Sequence, residues 1–141
     1  MNKELTRNTI YKSAKLAITA GVSLAFLSVC LGAFAAHGLK DVFNDYQLGI
    51  FETAVRYQMY HALALILLGI FAVITRSTVN KTACVFIVGI VVFSGSLYAL
   101  AALQISRLGA MTPIGGLCLL VAWLSFFVKA LRLKPDVRND A

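Results

Sequence analysis

The sequence predicts an all-α membrane protein, a bundle of four transmembrane helices forming a single domain over residues 1–141. Three observations predict it. Four long apolar stretches, at residues 16–36, 57–74, 82–103 and 112–131, approach or exceed the ~20 residues that a helix rising ~1.5 Å per residue needs to cross a ~30 Å hydrocarbon layer. Apolar side chains make up 60% of the 141 residues and charged ones 13%, with a mean hydropathy of +0.82, more apolar surface than a water-soluble fold of this size could bury. The charges gather in the connections and at the ends, so the apolar core of every stretch is free of Asp, Glu, Lys and Arg.

The first stretch, Leu16 to Ala36, follows a basic leader and runs into Ala33-Phe34-Ala35, which imitates a secretory signal with its small-residue cleavage site. Its apolar run exceeds the ~7–15 residues of a signal-peptide core, so an uncleaved helix is expected. Leu27-Ser28-Val29-Cys30 resembles a lipoprotein box, but Val29 stands where a small residue is expected before the cysteine.

Between the first two spans, Gly38 to Phe51 is patterned. Leu39, Val42, Phe43, Tyr46 and Ile50 recur at three- and four-residue spacing, and Lys40, Asp41, Asn44, Asp45 and Gln47 take other positions. A short interfacial helix lying at the outer surface is the favoured reading; the alternative is the lead-in turn of a longer second helix, which Gly49 weakens without excluding. In the spans themselves, Gly32 with Ala36, Gly89 with Phe93 and Gly95, and Gly115 with Gly116 offer grooves for close helix packing. Cys30, Cys84 and Cys118 all fall inside spans without a C-x-x-C pair, which reads as packing residues and neither a disulfide framework nor a metal site.

The net charge of +7 raises nucleic acid as a partner, and the placement of the charges argues against it. Lys3, Arg7, Lys12, Lys15, Arg76, Lys81, Lys129, Arg132, Lys134 and Arg138 fall on one side of the predicted spans, and only Lys40, Arg56 and Arg107 on the other. This bias puts both termini in the cytoplasm and the chain, as a multi-pass protein, in a bacterial inner membrane.

With that topology, polar residues converge near the outer leaflet: His37 ends the first span, Tyr57, Gln58 and His61 open the second, Tyr98 lies in the third, and Thr112 begins the fourth. Ser94 and Ser96 lie deeper, near the midplane. Polar groups there must find protein partners, which makes this cluster the candidate site. Glu52 and Arg56, four residues apart, are expected to form an exposed interfacial ion pair of small energetic weight, ~0.3–0.5 kcal/mol.

The same residues carry a resemblance. Residues 32–39 (Gly-Ala-Phe-Ala-Ala-His-Gly-Leu), Arg56 to His61 (Arg-Tyr-Gln-Met-Tyr-His), Phe93 to Tyr98 (Phe-Ser-Gly-Ser-Leu-Tyr) and Thr112 to Gly116 (Thr-Pro-Ile-Gly-Gly) resemble, in order and spacing, the successive signatures of the YgdD/YwdK family of small inner-membrane proteins. The chain departs from that pattern at Ala35, where glycine is usual, and at Glu52 and Arg56, where other members carry different polar residues. The resemblance implies a four-span protein of bacterial inner membranes and brings no established activity.

Three functional classes follow. In the first, the polar cluster braces the helices and the protein is a structural or accessory membrane component. In the second it is an oligomeric small-molecule transporter, although no span contains the carboxylate on which small four-helix exporters depend. The third is a metal, haem or quinone site built on His37 and His61, for which two ring nitrogens fall short of zinc's four ligands and the spacing of Asp41, Asp45 and Glu52 matches no ligand pattern. No serine or cysteine has an evident base, and Gly115-Gly116 lacks the lysine of a phosphate loop. The expectation is therefore no enzyme, no catalytic residue, no metal and no cofactor. The lipid bilayer is the expected environment, with a second copy or another membrane protein as candidate partner.

Overall fold

In a computed structural model the described residues are 2–133, with side chains from residue 4 onward. Lys134 and Arg138, and the side chain of Lys3, which the charge pattern assigned to the terminal side, lie outside them. Five α-helices follow in chain order: α1 (Asn2–Phe34), α2 (Asp45–Thr75), α3 (Asn80–Leu103), the single turn α4 (Ser106–Gly109) and α5 (Thr112–Leu131); a π-helical turn, Ala35–Leu39, prolongs α1. Four of these elements are long and apolar enough to cross a membrane. α5 coincides with the fourth predicted span, and α1 and α2 begin well before theirs.

The early start of α2 corrects the favoured reading of the first connection. No separate interfacial helix forms; α2 runs unbroken from Asp45 through Gly49 into the membrane. The reason is local. Asn44 takes an extended conformation and its side-chain oxygen accepts from the Gln47 N–H at 2.9 Å, while Gln47 Oε1 accepts from the Asn44 N–H at 3.1 Å. This reciprocal capping box satisfies two backbone donors and fixes the helix start. Of the expected apolar face, Leu39 and Phe43 pack on the bundle, and Val42 and Tyr46 are exposed.

The helices run antiparallel, so the start of α1, the end of α5 and the α2–α3 turn share one end of the bundle, here the terminal end, and the two remaining connections the other. Each spanning helix packs on its neighbour in sequence, α1 on α2, α2 on α3 and α3 on α5, with α1 also touching α3. α2 and α3 are thereby central: 44% of the most apolar window of α2 is buried, against 17% in the elements carrying α1 and α5. Both α2 and α3 end on a left-handed residue without glycine, Arg76 (φ 51°) and Gln104 (φ 55°), whose N–H closes the last turn.

Glycine sets the closest approaches. A Cβ on Gly21 would lie 2.7 Å from the Ala62 carbonyl oxygen, and one on Gly115 would run into the backbone of Phe93. These positions let α1 meet α2, and α5 meet α3, nearly backbone to backbone. Of the glycines expected to form grooves, Gly89 and Gly115 do so, whereas nothing lies within 4 Å of a Cβ at Gly95.

Two apolar clusters form the interior. The larger lies toward the terminal end and is centred on Leu65, Leu68, Phe86 and Ile90, with Leu119 from α5. The smaller, toward the connection end, joins Ala35, Leu39, Phe51 and Ala101, with Phe43 and Tyr98 against it. Between them lies a band of buried polar side chains.

Candidate functional site

The polar band is built from side chains that helical spacing brings into register across antiparallel helices. Gln58, on α2, is 3% exposed. Its Nε2 donates to the Leu24 carbonyl of α1 at 2.9 Å, and its Oε1 accepts from the Tyr98 hydroxyl of α3 at 3.1 Å. One carboxamide thus ties three helices, using a donor and an acceptor that would be costly to leave unpaired in hydrocarbon. Tyr98 is held against this junction by Phe51, whose ring centroid lies 4.8 Å from its own.

The predicted cluster separates into distinct groups. Gln58 and Tyr98 form the first. In the second, the His61 Nδ1 lies 2.6 Å from the Tyr57 carbonyl oxygen, one helical turn earlier, and Tyr57 stacks on Phe93 at 4.6 Å. The Phe86 and Trp123 rings also lie near His61, at 6.1 and 6.3 Å between ring centroids. In the third, the Ser96 hydroxyl donates to the Phe93 carbonyl at 2.9 Å, so at 3.0 Å it is the Thr112 hydroxyl that donates to Ser96, joining α3 to α5. Ser94 is fully buried, and its Oγ has no partner.

His37 joins none of these groups. It is exposed, and among the described residues it makes no hydrogen bond or ring contact. The π-helical turn explains this: Ala35 and Leu39 are directed into the bundle, and His37, midway between them around the turn, points away. A brace or ligand set combining His37 with His61 is therefore not built. Among the described residues no three His, Cys, Asp or Glu side chains come together as metal ligands do. The expected Glu52–Arg56 ion pair is absent as well; the Arg56 Nε points at the Glu52 backbone carbonyl, 3.4 Å away, and both side chains are exposed.

Several polar ties between helices were not among the candidates read from the sequence. Ser28 Oγ donates to the Val55 carbonyl at 2.8 Å, a second side-chain tie from α1 to α2. Gln47 Nε2 donates to the Ala101 carbonyl at 2.8 Å, fastening the start of α2 to the end of α3. Nearer the terminal end, Thr82 and Ser125 hydroxyls meet at 2.8 Å, Ser13 accepts from the Val79 N–H at 3.4 Å, and the Lys129 ammonium donates to the Thr78 carbonyl at 3.0 Å. The Asn44-x-x-Gln47 spacing was the one available signal for Gln47; a serine inside an apolar run gives none.

Comparison with known proteins places the chain. Residues 31–116, which hold all of the predicted outer-leaflet cluster, match the family described as Protein of unknown function (DUF423). The chain belongs to this family. A UPF0382 membrane protein of Staphylococcus haemolyticus is 44% identical over 118 residues, 84% of this chain and 97% of the relative. The UPF0382 membrane protein YwdK of Bacillus subtilis is 42% identical over 120 residues, 84% of this chain and 98% of its own length. No solved structure matches. The resemblance carried by the four sequence signatures is therefore real family membership, and the chain is a small integral membrane protein of a family without established activity.

Proposed function

We propose that the protein is a non-enzymatic structural or accessory component of the bacterial inner membrane, with both termini in the cytoplasm. One observation carries this reading: the polar side chains of the membrane interior are largely spent on joining helices. Gln58 uses both ends of its carboxamide, Ser28 and Gln47 cap carbonyls of neighbouring helices, and Ser96 pairs with Thr112. A transport path needs polar groups that exchange partners, and these are fixed by geometry. Meanwhile α1 and α5, the outer helices of the row, leave Phe26, Leu120, Leu124 and Phe127 exposed, surface that suits lipid or a second membrane protein. The basic residues gathered at the terminal end support the cytoplasmic assignment.

The test combines reporter fusions at each terminus with native mass spectrometry of the protein released from nanodiscs. Cytoplasmic reporters at both ends, together with a membrane protein or second copy retained by the chain, are expected. A periplasmic C-terminus would overturn the topology. Reconstituted vesicles that released a cationic dye in response to a pH gradient would overturn the accessory role.

A further inference from the structure

His61 has a ring nitrogen that the fold does not use. A carbonyl oxygen only accepts, so the 2.6 Å contact with Tyr57 puts the hydrogen on Nδ1. No carboxylate touches the ring to balance a second proton, and Nε2 therefore presents its lone pair. Nε2 makes no hydrogen bond among the described residues, where the one fully enclosed side-chain nitrogen or oxygen without a partner is Ser94 Oγ. Nε2 is thus unpartnered without being sealed in, on a residue that is 7% exposed.

The surroundings define what could reach it. Tyr57 and Trp123 are 41% and 44% exposed, and their rings lie 5.9 and 6.3 Å from the imidazole, with the Phe86 ring at 6.1 Å. α3 carries no charged residue after Lys81, and α5 none before Lys129. The ligand must then be uncharged, soluble in the membrane, flat enough to lie along aromatic faces, and able to donate a hydrogen bond. A serine or threonine from a partner helix would satisfy the lone pair with a hydroxyl alone, whereas a ring bearing the hydroxyl also covers the exposed parts of Tyr57 and Trp123. We propose that His61 Nε2 accepts a hydrogen bond from the hydroxyl of a membrane-borne aromatic alcohol of the quinol type, seated between Tyr57 and Trp123.

The chain has a single tryptophan, Trp123, and its ring is the one 6.3 Å from His61. Titrating the full chain in nanodiscs with a bromine-substituted decylhydroquinone, kept reduced, should quench Trp123 fluorescence along a saturable curve. The di-O-methyl ether of the probe, equally lipid-soluble but without a donor, should bind about tenfold more weakly, as should the hydroquinone with His61→Phe protein. His61→Gln, which keeps an acceptor, should recover part of the loss, and exposed His37→Ala should bind as the unaltered chain does. Quenching that merely follows the probe's concentration in the bilayer would overturn the proposal. So would equal binding of ether and hydroquinone, a comparison that requires no variant. Loss of a co-purifying membrane protein in His61→Phe, with quenching that never saturates, would assign Nε2 to a partner helix and overturn it too.

Discussion

The α1–α2 and α3–α5 seams are both opened by glycine, yet they are tied in different ways. Across α1–α2 the ties run from side chain to backbone: Gln58 to the Leu24 carbonyl and Ser28 to the Val55 carbonyl. Across α3–α5 they are pairs of hydroxyls, Ser96 with Thr112 and Thr82 with Ser125. A helix carbonyl already accepts its own N–H, so losing a side-chain donor leaves it satisfied. A hydroxyl facing a hydroxyl has a partner that is stranded when either is removed, although each can turn back to its own helix, as Ser96 does toward Phe93. The first seam therefore rests on donors to carbonyls, one of them from a carboxamide that also reaches α3, and the second on paired hydroxyls.

The largest effects should come from the glycines, because they decide whether either seam closes. Gly115→Val drives its side chain into the Phe93 backbone and should cost ~3 kcal/mol, with Gly21→Val comparable against the Ala62 carbonyl. Gly95→Ala, with open space around it, should leave the thermal midpoint in detergent unchanged or slightly raised. Equal damage at all three would mean that backbone approach does not define the seams.

Next comes the multivalent carboxamide. Gln58→Leu removes two ties and strands the Tyr98 hydroxyl, for an expected cost of ~1.5 kcal/mol, where single interhelical hydrogen bonds in membranes average ~0.6 kcal/mol. Tyr98→Phe in the same background should add less than it costs alone, which a double-mutant cycle in bicelles can measure. On the second seam, Thr82→Val should cost only ~0.6 kcal/mol, and Ser125→Ala should then add little. A Thr82 effect matching that of Gln58 would erase the distinction between the seams.

The smallest expected effect concerns the histidines. Because His37 faces outward and His61 inward, His37→Ala and His61→Ala should be additive in stability to within ~0.5 kcal/mol. A larger coupling, measured by the same unfolding cycle, would bring the two residues together after all.

Much of this architecture was legible beforehand, for identifiable reasons. The spans follow from composition, and α5 could be bounded closely because Thr112-Pro113 marks its start and Lys129 its end. The Gln58–Tyr98 contact was accessible because antiparallel spans put both at one depth. The first connection misled because its apolar residues fit a helix of either kind, and the deciding Asn44–Gln47 box is read from spacing, not hydropathy. Gly21 escaped notice because its importance depends on Ala62 lying opposite, a fact of packing that no local pattern records. His37 was misplaced because a π-helical turn shifts the phase of every residue within it.

The length of the first membrane element has a consequence of its own. From Glu4 to Leu39 it comprises 36 residues, about 54 Å of helix, while Leu16 to Ala36 by itself fills a ~30 Å hydrocarbon layer. About 13 Å of it, from Glu4 to Lys12, precedes the first buried residues, Ser13 and Ala14, and bears Arg7 and Lys12 with Leu5 and Tyr11 exposed between them. Each basic side chain near anionic headgroups contributes ~1 kcal/mol of attraction. The segment is therefore placed to limit how far the first helix sinks, because its basic side chains would have to leave the headgroups before it could enter the layer.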